Sequence, residues 1–226
     1  MTPSQKRRAE LDSGILKRKN IILNSAITEF CRQGIENTTM TDVAKAAQVG
    51  VATVYRYFTS KDELVIQCAV LFWKNEETLF VPTLLTPQYR EMSGIRQVQV
   101  SLNVFPLAYE KSREFLIFLY EFDSYVRSKG ISMERLTDYG SELIHLKTFV
   151  TDALKKGLDD GTVRIRNTVE ETYCALTHLL LSFCEKLAIH GDILNIDNRV
   201  EPETQIKDTV ELLVDALRAQ PDNRHS

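Results

Sequence analysis

The apolar residues of this chain recur mainly at the spacing of an α-helix, and this periodicity limits the fold more than any other feature. From Ile15 to Gln33, one stripe carries Ile22, Ala26 and Phe30. No segment of the sequence shows the repeated alternation of apolar and polar residues that marks a series of strands and turns. We therefore expect an all-α protein of about nine helices.

Capping signals and helix-breaking residues divide the chain. Ser60 and Glu63 form a capping box that opens a long helix to about Phe80, and Pro82 and Pro87 are expected to bracket a loop. An interruption is expected at Pro106. Periodicity and breakers predict the later helices at about 88–104, 111–128, 132–158, 168–190 and 203–219.

The charge of the chain is divided unevenly between its ends. Residues 1–61 contain ten Lys and Arg against five Asp and Glu, a net charge of +5, whereas the whole chain carries −3. The remainder therefore carries −8, and a basic head on an acidic body suggests that the head meets a polyanion. A solvated charged tail is the alternative for Lys6–Arg8, although Lys17–Lys19 lie where a helix is expected to begin.

Cysteine spacing and hydropathy indicate the compartment. The four cysteines are widely spaced and form no CxxC pair, so neither a disulfide framework nor a zinc ribbon is suggested. The N-terminal stretch is polar and charged rather than a secretory signal, and no apolar run approaches the roughly 20 residues that span a bilayer. We expect a cytoplasmic protein.

Two short helices near residue 50 carry the functional signal. Ala44, Ala47, Val49 and Val54 are small or branched and are spaced to pack two helices across a turn of three or four residues. This is the helix-turn-helix arrangement, in which the second helix lies in the DNA major groove.

At these residues a family resemblance becomes specific. From about Ile21 to Leu64 the chain resembles the DNA-binding domain of the tetracycline-repressor (TetR) family of bacterial transcription regulators, and its YRYFTSKDEL run resembles the end of that family's recognition helix. Outside this stretch it matches in helix count, length and a DDGTVR turn. The other matching residues are Ile22, Ala26, Phe30, Gly34, Thr38, Thr39, Val43, Ala44, Ala47, Val49, Thr53 and Val54.

The resemblance implies a three-helix DNA-binding domain over residues 14–59. A larger ligand-binding and dimerisation domain would cover 60–220, with a connecting helix over 60–80. By position, the residues implied to contact DNA are Thr39, Thr53, Tyr55, Arg56 and Lys61.

Side-chain chemistry divides the recognition helix into two faces. Val51, Ala52 and Thr53 are the expected base-facing residues, and small side chains of this kind favour contacts with thymine methyl groups. For Tyr57 and Phe58 we expect packing in the core instead of a DNA contact.

Two residues of the turn depart from the family pattern. Gln48 stands where most members have glycine, at a position that usually needs a positive φ, and a non-glycine residue there costs about 1 kcal/mol. Gly50 stands where Ser or Thr is usual and would serve as an N-cap. We predict a left-handed Gln48.

The family resemblance also implies a homodimer formed by helices at about 168–190 and 203–219. The first of these is apolar almost all round, which indicates burial on two sides. Two-fold symmetry would then present two recognition helices to a palindromic site. The alternative is a buried central helix of a single subunit.

A small-molecule site is expected from the resemblance and from aromatic residues in the body. Core packing is the commoner role of such a stripe, whereas Glu121 beside aromatic rings could receive a cationic ligand. Cys174 and His178 could share a metal, but a third ligand is not evident. The expected lining residues are Phe105, Tyr109, Phe118, Glu121, Phe122, Tyr125 and Tyr173.

The expected function is a transcriptional repressor that a small molecule releases from its operator. An activator of the same family, or a helical interaction protein whose head does not bind DNA, are the alternatives. The sequence contains no nucleophile and base pairing, phosphate-binding glycine loop or HExxH motif, so neither an enzyme nor a cofactor is expected.

Overall fold

The structure, a computed structural model, describes residues 2–142, 144–190 and 199–219. In these ranges it is helical, without a strand beyond one isolated bridge between Val163 and Arg218. None of the helices described combines the length and apolar character needed to cross a membrane. The helices are α1 (Pro3–Gln33), α2 (Met40–Ala46), α3 (Val51–Tyr57), α4 (Lys61–Leu84), α5 (Pro87–Glu91), α6 (Gly94–Leu102), α7 (Val104–Lys111), α8 (Arg113–Lys129), a 3-10 helix (Met133–Leu136), α9 (Thr137–Glu142), α10 (Ile144–Asp159), α11 (Val169–His190) and α12 (Pro202–Leu217).

The all-α prediction is confirmed, but several predicted helices are divided into shorter ones, whereas α1 begins at Pro3 instead of near Ile15 and α4 ends at Leu84 instead of near Phe80. Pro82 lies inside the last turn of α4, so the predicted loop from Pro82 is wrong. Pro82 removes one helical hydrogen bond there, because its backbone nitrogen carries no hydrogen. Pro106 lies in the first turn of α7, where its missing N–H needs no helical acceptor, so it does not interrupt that helix.

The helix predicted over 88–104 is divided between α5 and α6. Met92 adopts an extended conformation after α5, and Ser93 precedes the first residue of α6, Gly94. The predicted helix 132–158 likewise corresponds to the 3-10 helix, α9 and α10.

One compact unit, called unit 1, comprises Met1–Trp73 and Phe118–Tyr139. Its core joins the apolar faces of α1 to α4 to the second half of α8, through fully buried side chains such as Phe30, Phe58 and Phe118. The ring of Phe118 lies 5.3 Å from that of Phe72 and 6.2 Å from that of Phe122. The aromatic stripe of α8 therefore serves as core for the helices that carry the helix-turn-helix.

The second compact unit, unit 2, comprises Lys74–Ile117 and Gly140–Ser226. In it α6 and α10 meet at two glycines: a Cβ on Gly94 would overlap the backbone nitrogen of Gly157. The turn after α10 caps α6, since Asp160 Oδ2 accepts from the Gly94 N–H at 2.7 Å and Thr162 Oγ1 accepts from the Ile95 N–H at 3.0 Å.

The functional boundaries at 14–59 and 60–220 remain predictions, because the compact units are defined by packing and residue 220 lies outside the described residues.

Candidate DNA-reading surface

The first helix of the helix-turn-helix begins with a complete capping box. The Thr39 hydroxyl accepts from the Asp42 N–H at 3.2 Å, and the Asp42 carboxylate accepts from the Thr39 N–H at 2.9 Å and from its hydroxyl at 2.6 Å. These bonds hold the pKa of Asp42 below its ordinary value. Thr39, predicted to contact DNA, is exposed but already uses its hydroxyl within the head.

The turn between α2 and α3 is a Schellman motif. The Gln48 N–H bonds to the Lys45 carbonyl at 3.2 Å, and the Val49 N–H bonds to the Ala44 carbonyl at 2.9 Å. Gln48 has φ 55°, so the predicted left-handed conformation is confirmed. Val49 follows it and packs against the core cluster that contains Ala44. This hydrophobic contact completes the motif.

Gly50 begins the recognition helix, as predicted. It has φ −69° and ψ 145°, and its carbonyl accepts from the Thr53 N–H at 2.8 Å. Without a side chain, Gly50 leaves the first N–H groups of α3 without a side-chain cap.

The exposed face of α3, formed by Ala52, Tyr55 and Arg56, is the candidate DNA-reading surface. All three residues are exposed, Tyr55 by 51%. They lie at positions i, i+3 and i+4, which share one face of a helix. On the opposite face Val54 and Phe58 are fully buried, as predicted.

The polar groups of this face are available for contacts. Over the described residues, neither the Tyr55 hydroxyl nor the Arg56 guanidinium makes a hydrogen bond, and the guanidinium lies 5.5 Å from the Tyr57 ring centroid. Tyr57 is half-buried against the core. A hydroxyl and a guanidinium on an exposed helix face can bind phosphate oxygens or base edges.

Val51 and Thr53, which were also predicted to face the bases, are less exposed than Ala52. Val51 is only partly buried and packs against the core cluster, so its side chain is less available to bases than that of Ala52. Thr53 is half-buried on the same first turn. Their DNA contacts remain predictions.

Lys61, at the start of α4, is held within unit 1. Its ammonium donates to the Glu36 carbonyl at 2.9 Å and lies 5.5 Å from the Tyr125 ring centroid. Partial burial lowers the pKa of Lys61. Nearby, the Glu36 carboxylate pairs with Lys129 at 3.1 Å. To bind a phosphate, Lys61 must therefore share or release the Glu36 carbonyl.

The start of α4 is capped by two residues rather than one. The Ser60 hydroxyl accepts from the Glu63 N–H at 3.2 Å, as the predicted capping box requires. The Glu63 carboxylate, however, accepts from the Thr59 N–H at 2.7 Å instead of the Ser60 N–H.

Four of the predicted ligand-binding residues lie in unit 1. Phe118 and Phe122 are in its core, which is the commoner role that the sequence left open for them. Glu121 accepts from the Ile35 N–H at 3.3 Å, close to the turn that ends α1. Tyr125 donates to Asp62 at 2.7 Å and thereby lowers the pKa of that carboxyl group.

The other three predicted ligand-binding residues lie in unit 2, so the structure does not bring the seven together in one compact unit. Phe105 and Tyr109 are buried on α7, and Tyr173 is half-buried on α11. Two clefts of unit 2, of about 440 and 360 Å³, are lined by other residues. The ligand-binding assignments remain predictions.

Sequence reasoning missed one titratable residue of unit 2. Glu76 on α4 is 6% exposed, and burial raises its pKa to about 7, although a hydrogen bond with Ser112 opposes the shift. Glu76 follows Trp73 by three residues and precedes Phe80 by four, and this helical spacing with two apolar residues was the available signal.

Comparison with known proteins agrees with this geometry. The family model described as "Bacterial regulatory proteins, tetR family" matches residues 22–68, which include α2, α3 and the start of α4. The HTH-type transcriptional regulator LuxR of Vibrio harveyi is 44% identical over 50 residues, 22% of this chain. That alignment spans only 24% of the Vibrio protein.

Solved structures extend the similarity of fold along most of the chain. A tetR-family regulatory protein from Rhodococcus RHA1 superimposes with a TM-score of 0.69 at 14% identity, covering 91% of this chain and 99% of that one. FadR from Bacillus subtilis, solved in complex with stearoyl-CoA, gives a TM-score of 0.64 at 14% identity, covering 87% and 98%. Residues 22–68 thus match the tetR-family model, and the chain shares its fold with tetR-family structures along most of its length.

Proposed function

We propose that this protein is a DNA-binding transcriptional repressor that a small-molecule effector releases from a palindromic operator. The exposed face of α3, with Ala52, Tyr55 and Arg56, is the observation that carries the proposal. The Schellman turn fixes the direction in which α3 leaves α2, and the buried Val54 and Phe58 anchor the opposite face.

In this proposal the side chains of α3 have separate tasks. The Ala52 methyl group contacts thymine methyl groups, whereas Tyr55 and Arg56 bind phosphates and fix the register of the helix in the major groove. Lys61 and the first N–H groups of α4 bind a further phosphate once Lys61 leaves the Glu36 carbonyl.

Fluorescence anisotropy with the intergenic DNA beside the protein's own gene tests DNA binding. The protein should bind this fragment more tightly than a random duplex of equal length, and Arg56→Ala should weaken binding by about tenfold or more. Arg90→Ala, which removes an exposed arginine of unit 2, is the matched control and should bind like the wild type. Equal affinity for the two duplexes would contradict the proposed operator recognition.

We infer that the functional species is a homodimer formed through α11 and α12. Leu179 on α11 is 49% exposed and Leu212 on α12 is 70% exposed, although other leucines of the same helices are buried in unit 2. Exposed leucines on two helices that are already packed inside favour a second apolar contact.

Sedimentation velocity tests the dimer. Leu179→Glu combined with Leu212→Glu should shift the protein to a monomer without unfolding it, because both side chains are exposed in the single chain. Leu158→Glu, at an exposed position of α10, is the control and should leave the dimer intact. A wild-type protein that sediments as a monomer at micromolar concentration would contradict this inference.

The effector is proposed to bind in unit 2. FadR, which was solved with stearoyl-CoA, supports a small molecule as the effector class but does not specify it. The buried Glu76 and the aromatic residues Phe105, Tyr109 and Tyr173 belong to this unit. Two helices cross between the units: α4 begins in unit 1 and ends in unit 2, and α8 begins in unit 2 and ends in unit 1. In this proposal they provide covalent paths by which effector binding biases DNA binding.

A thermal-shift screen tests the effector step, beginning with stearoyl-CoA and with coenzyme A alone as its control. A true effector should raise the melting temperature and weaken operator binding. The factor by which the effector lowers the affinity for DNA should equal the factor by which DNA lowers the affinity for the effector. A ligand that stabilises the protein but leaves DNA affinity unchanged would contradict release.

Deletion of the gene should raise expression of its target; a fall would indicate the activator alternative.

A further inference from the structure

The helix α1 extends far beyond the part that builds the core of unit 1. It begins at Pro3, with a capping box at Thr2, whereas the buried positions of α1 begin at Ile22 and the family match begins at the same residue. The extension over residues 3–20 contains six Lys and Arg against two acidic residues, a net charge of +4. It is therefore a basic helix with its own N-cap.

The basic residues of the extension form two triplets. The outer triplet is Lys6–Arg8 and the inner triplet is Lys17–Lys19, with the members of each pair eleven residues apart. At about 100° per residue, eleven residues turn the helix by three turns and about 20°. Each basic residue of the outer triplet therefore lies on nearly the same face as its counterpart in the inner triplet, about 16 Å further along the axis.

The inner triplet lies beside the end of the recognition helix. The Lys19 ammonium is 5.7 Å from the ring centroid of Phe58, which caps α3, and donates to Gln67 Oε1 at 3.2 Å. Lys17 and Arg18 are exposed, as are the three residues of the outer triplet. Positive charge thus extends outward along α1 from the part of unit 1 that holds the C-terminal end of the recognition helix.

We propose that the α1 extension lies along the DNA backbone outside the operator half-site and binds phosphates through these two triplets. The inference rests on the proposed function, since the head must bind DNA for the extension to reach it. Phosphates of one strand follow each other at 3.4 Å along the axis, so about 16 Å corresponds to about five base-pair steps. The contacts are independent of sequence, because they involve only the backbone.

Removal of the outer triplet tests the proposal on the full-length protein. The variant Lys6→Ala, Arg7→Ala, Arg8→Ala keeps good helix formers in α1. Its control, Lys111→Ala, Lys147→Ala, Lys155→Ala, removes the same charge from exposed positions of unit 2. The probes are the intergenic fragment and a random duplex, each titrated over a range of salt concentration.

The plot of log affinity against log salt concentration should be less steep for the outer-triplet variant than for the wild type. The slope should decrease in magnitude by up to about 2.7 for each bound protomer, on both duplexes. Hydroxyl-radical protection should shorten by about five base pairs on each side of the operator. The control should keep the wild-type slope and footprint. An outer-triplet variant with wild-type slope and footprint would overturn the proposal while leaving operator binding, and hence the proposed function, intact.

Binding of the extension to anionic phospholipid vesicles, with unchanged DNA binding, would overturn DNA as its partner.

Discussion

Replacing Gln48 by glycine should stabilise the protein. Gln48 has φ 55° in the Schellman turn, a conformation that costs about 1–2 kcal/mol for a residue with a Cβ atom. Glycine removes this cost, but it also gives the unfolded chain more conformational freedom, which lowers the free energy of unfolding by about 0.4–1 kcal/mol. The Gln48 side chain is exposed and makes no hydrogen bond in the described structure, so its loss removes no contact. We expect a net gain of about 0.5–1 kcal/mol.

Urea unfolding followed by circular dichroism measures this gain. Protein concentration must be matched, because dimerisation contributes to the apparent stability, and the transition of unit 1 is the one expected to shift. Gln48→Ala is the decisive control, since alanine also lacks the glutamine side chain but keeps the Cβ atom. Asparagine tolerates the left-handed region better than most residues, so Gln48→Asn should fall between alanine and glycine.

The expected order of stability is therefore glycine, then asparagine, then alanine together with glutamine. If Gln48→Gly were no more stable than Gln48→Ala, backbone strain at this turn would be refuted as the cause. DNA affinity offers a second check, because the backbone path is unchanged and affinity should stay within about twofold of the wild type.

The structure predicts the outcomes of three other substitutions. Gly50→Ser should stabilise α3 by a few tenths of a kcal/mol in urea unfolding, roughly the advantage of serine over glycine at an N-cap, because φ −69° suits serine and a Cβ there meets no atom closer than 4.0 Å. Gly94→Ala should destabilise unit 2 by about 1–3 kcal/mol or more, because its Cβ would overlap the backbone of Gly157. Burial raises the pKa of Glu76 from 4.5 to about 7, so its contribution favours folding less as pH rises through this window; Glu76→Gln should raise the melting temperature more at pH 8 than at pH 5, and an equal gain at both would contradict the assignment.

Local signals in the sequence were sufficient to predict the conformation of the helix-turn-helix. The left-handed Gln48, the N-cap Gly50 and the buried Val54 and Phe58 follow from turn geometry and helical spacing within a dozen residues. The exposure of Tyr55 follows from the same spacing, three residues after Ala52. Such features depend on neighbours in the chain, which a sequence displays directly.

Long-range packing could not be predicted in the same way. Helical periodicity indicated which face of α8 is buried, but not that Phe118 packs in the core that holds Phe58, or that Glu121 bonds to Ile35 across 86 positions. The aromatic residues assigned to one pocket consequently fall in two compact units. The break before Gly94 was hidden for the same reason, since the two side chains that cap the start of α6 lie 66 and 67 positions further along the chain.

The meeting of α6 and α10 has a mechanical consequence for any effector that binds in unit 2. At Gly94 and Gly157 the two backbones touch with no side chain between them, and Asp160 ties the start of α6 to the turn that follows α10. Neither helix can slide or roll past the other there without a collision of main-chain atoms. A displacement of one helix therefore moves the other with it, so α6 and α10 behave as one rigid pair. A conformational change induced by an effector must then come from other helices of unit 2.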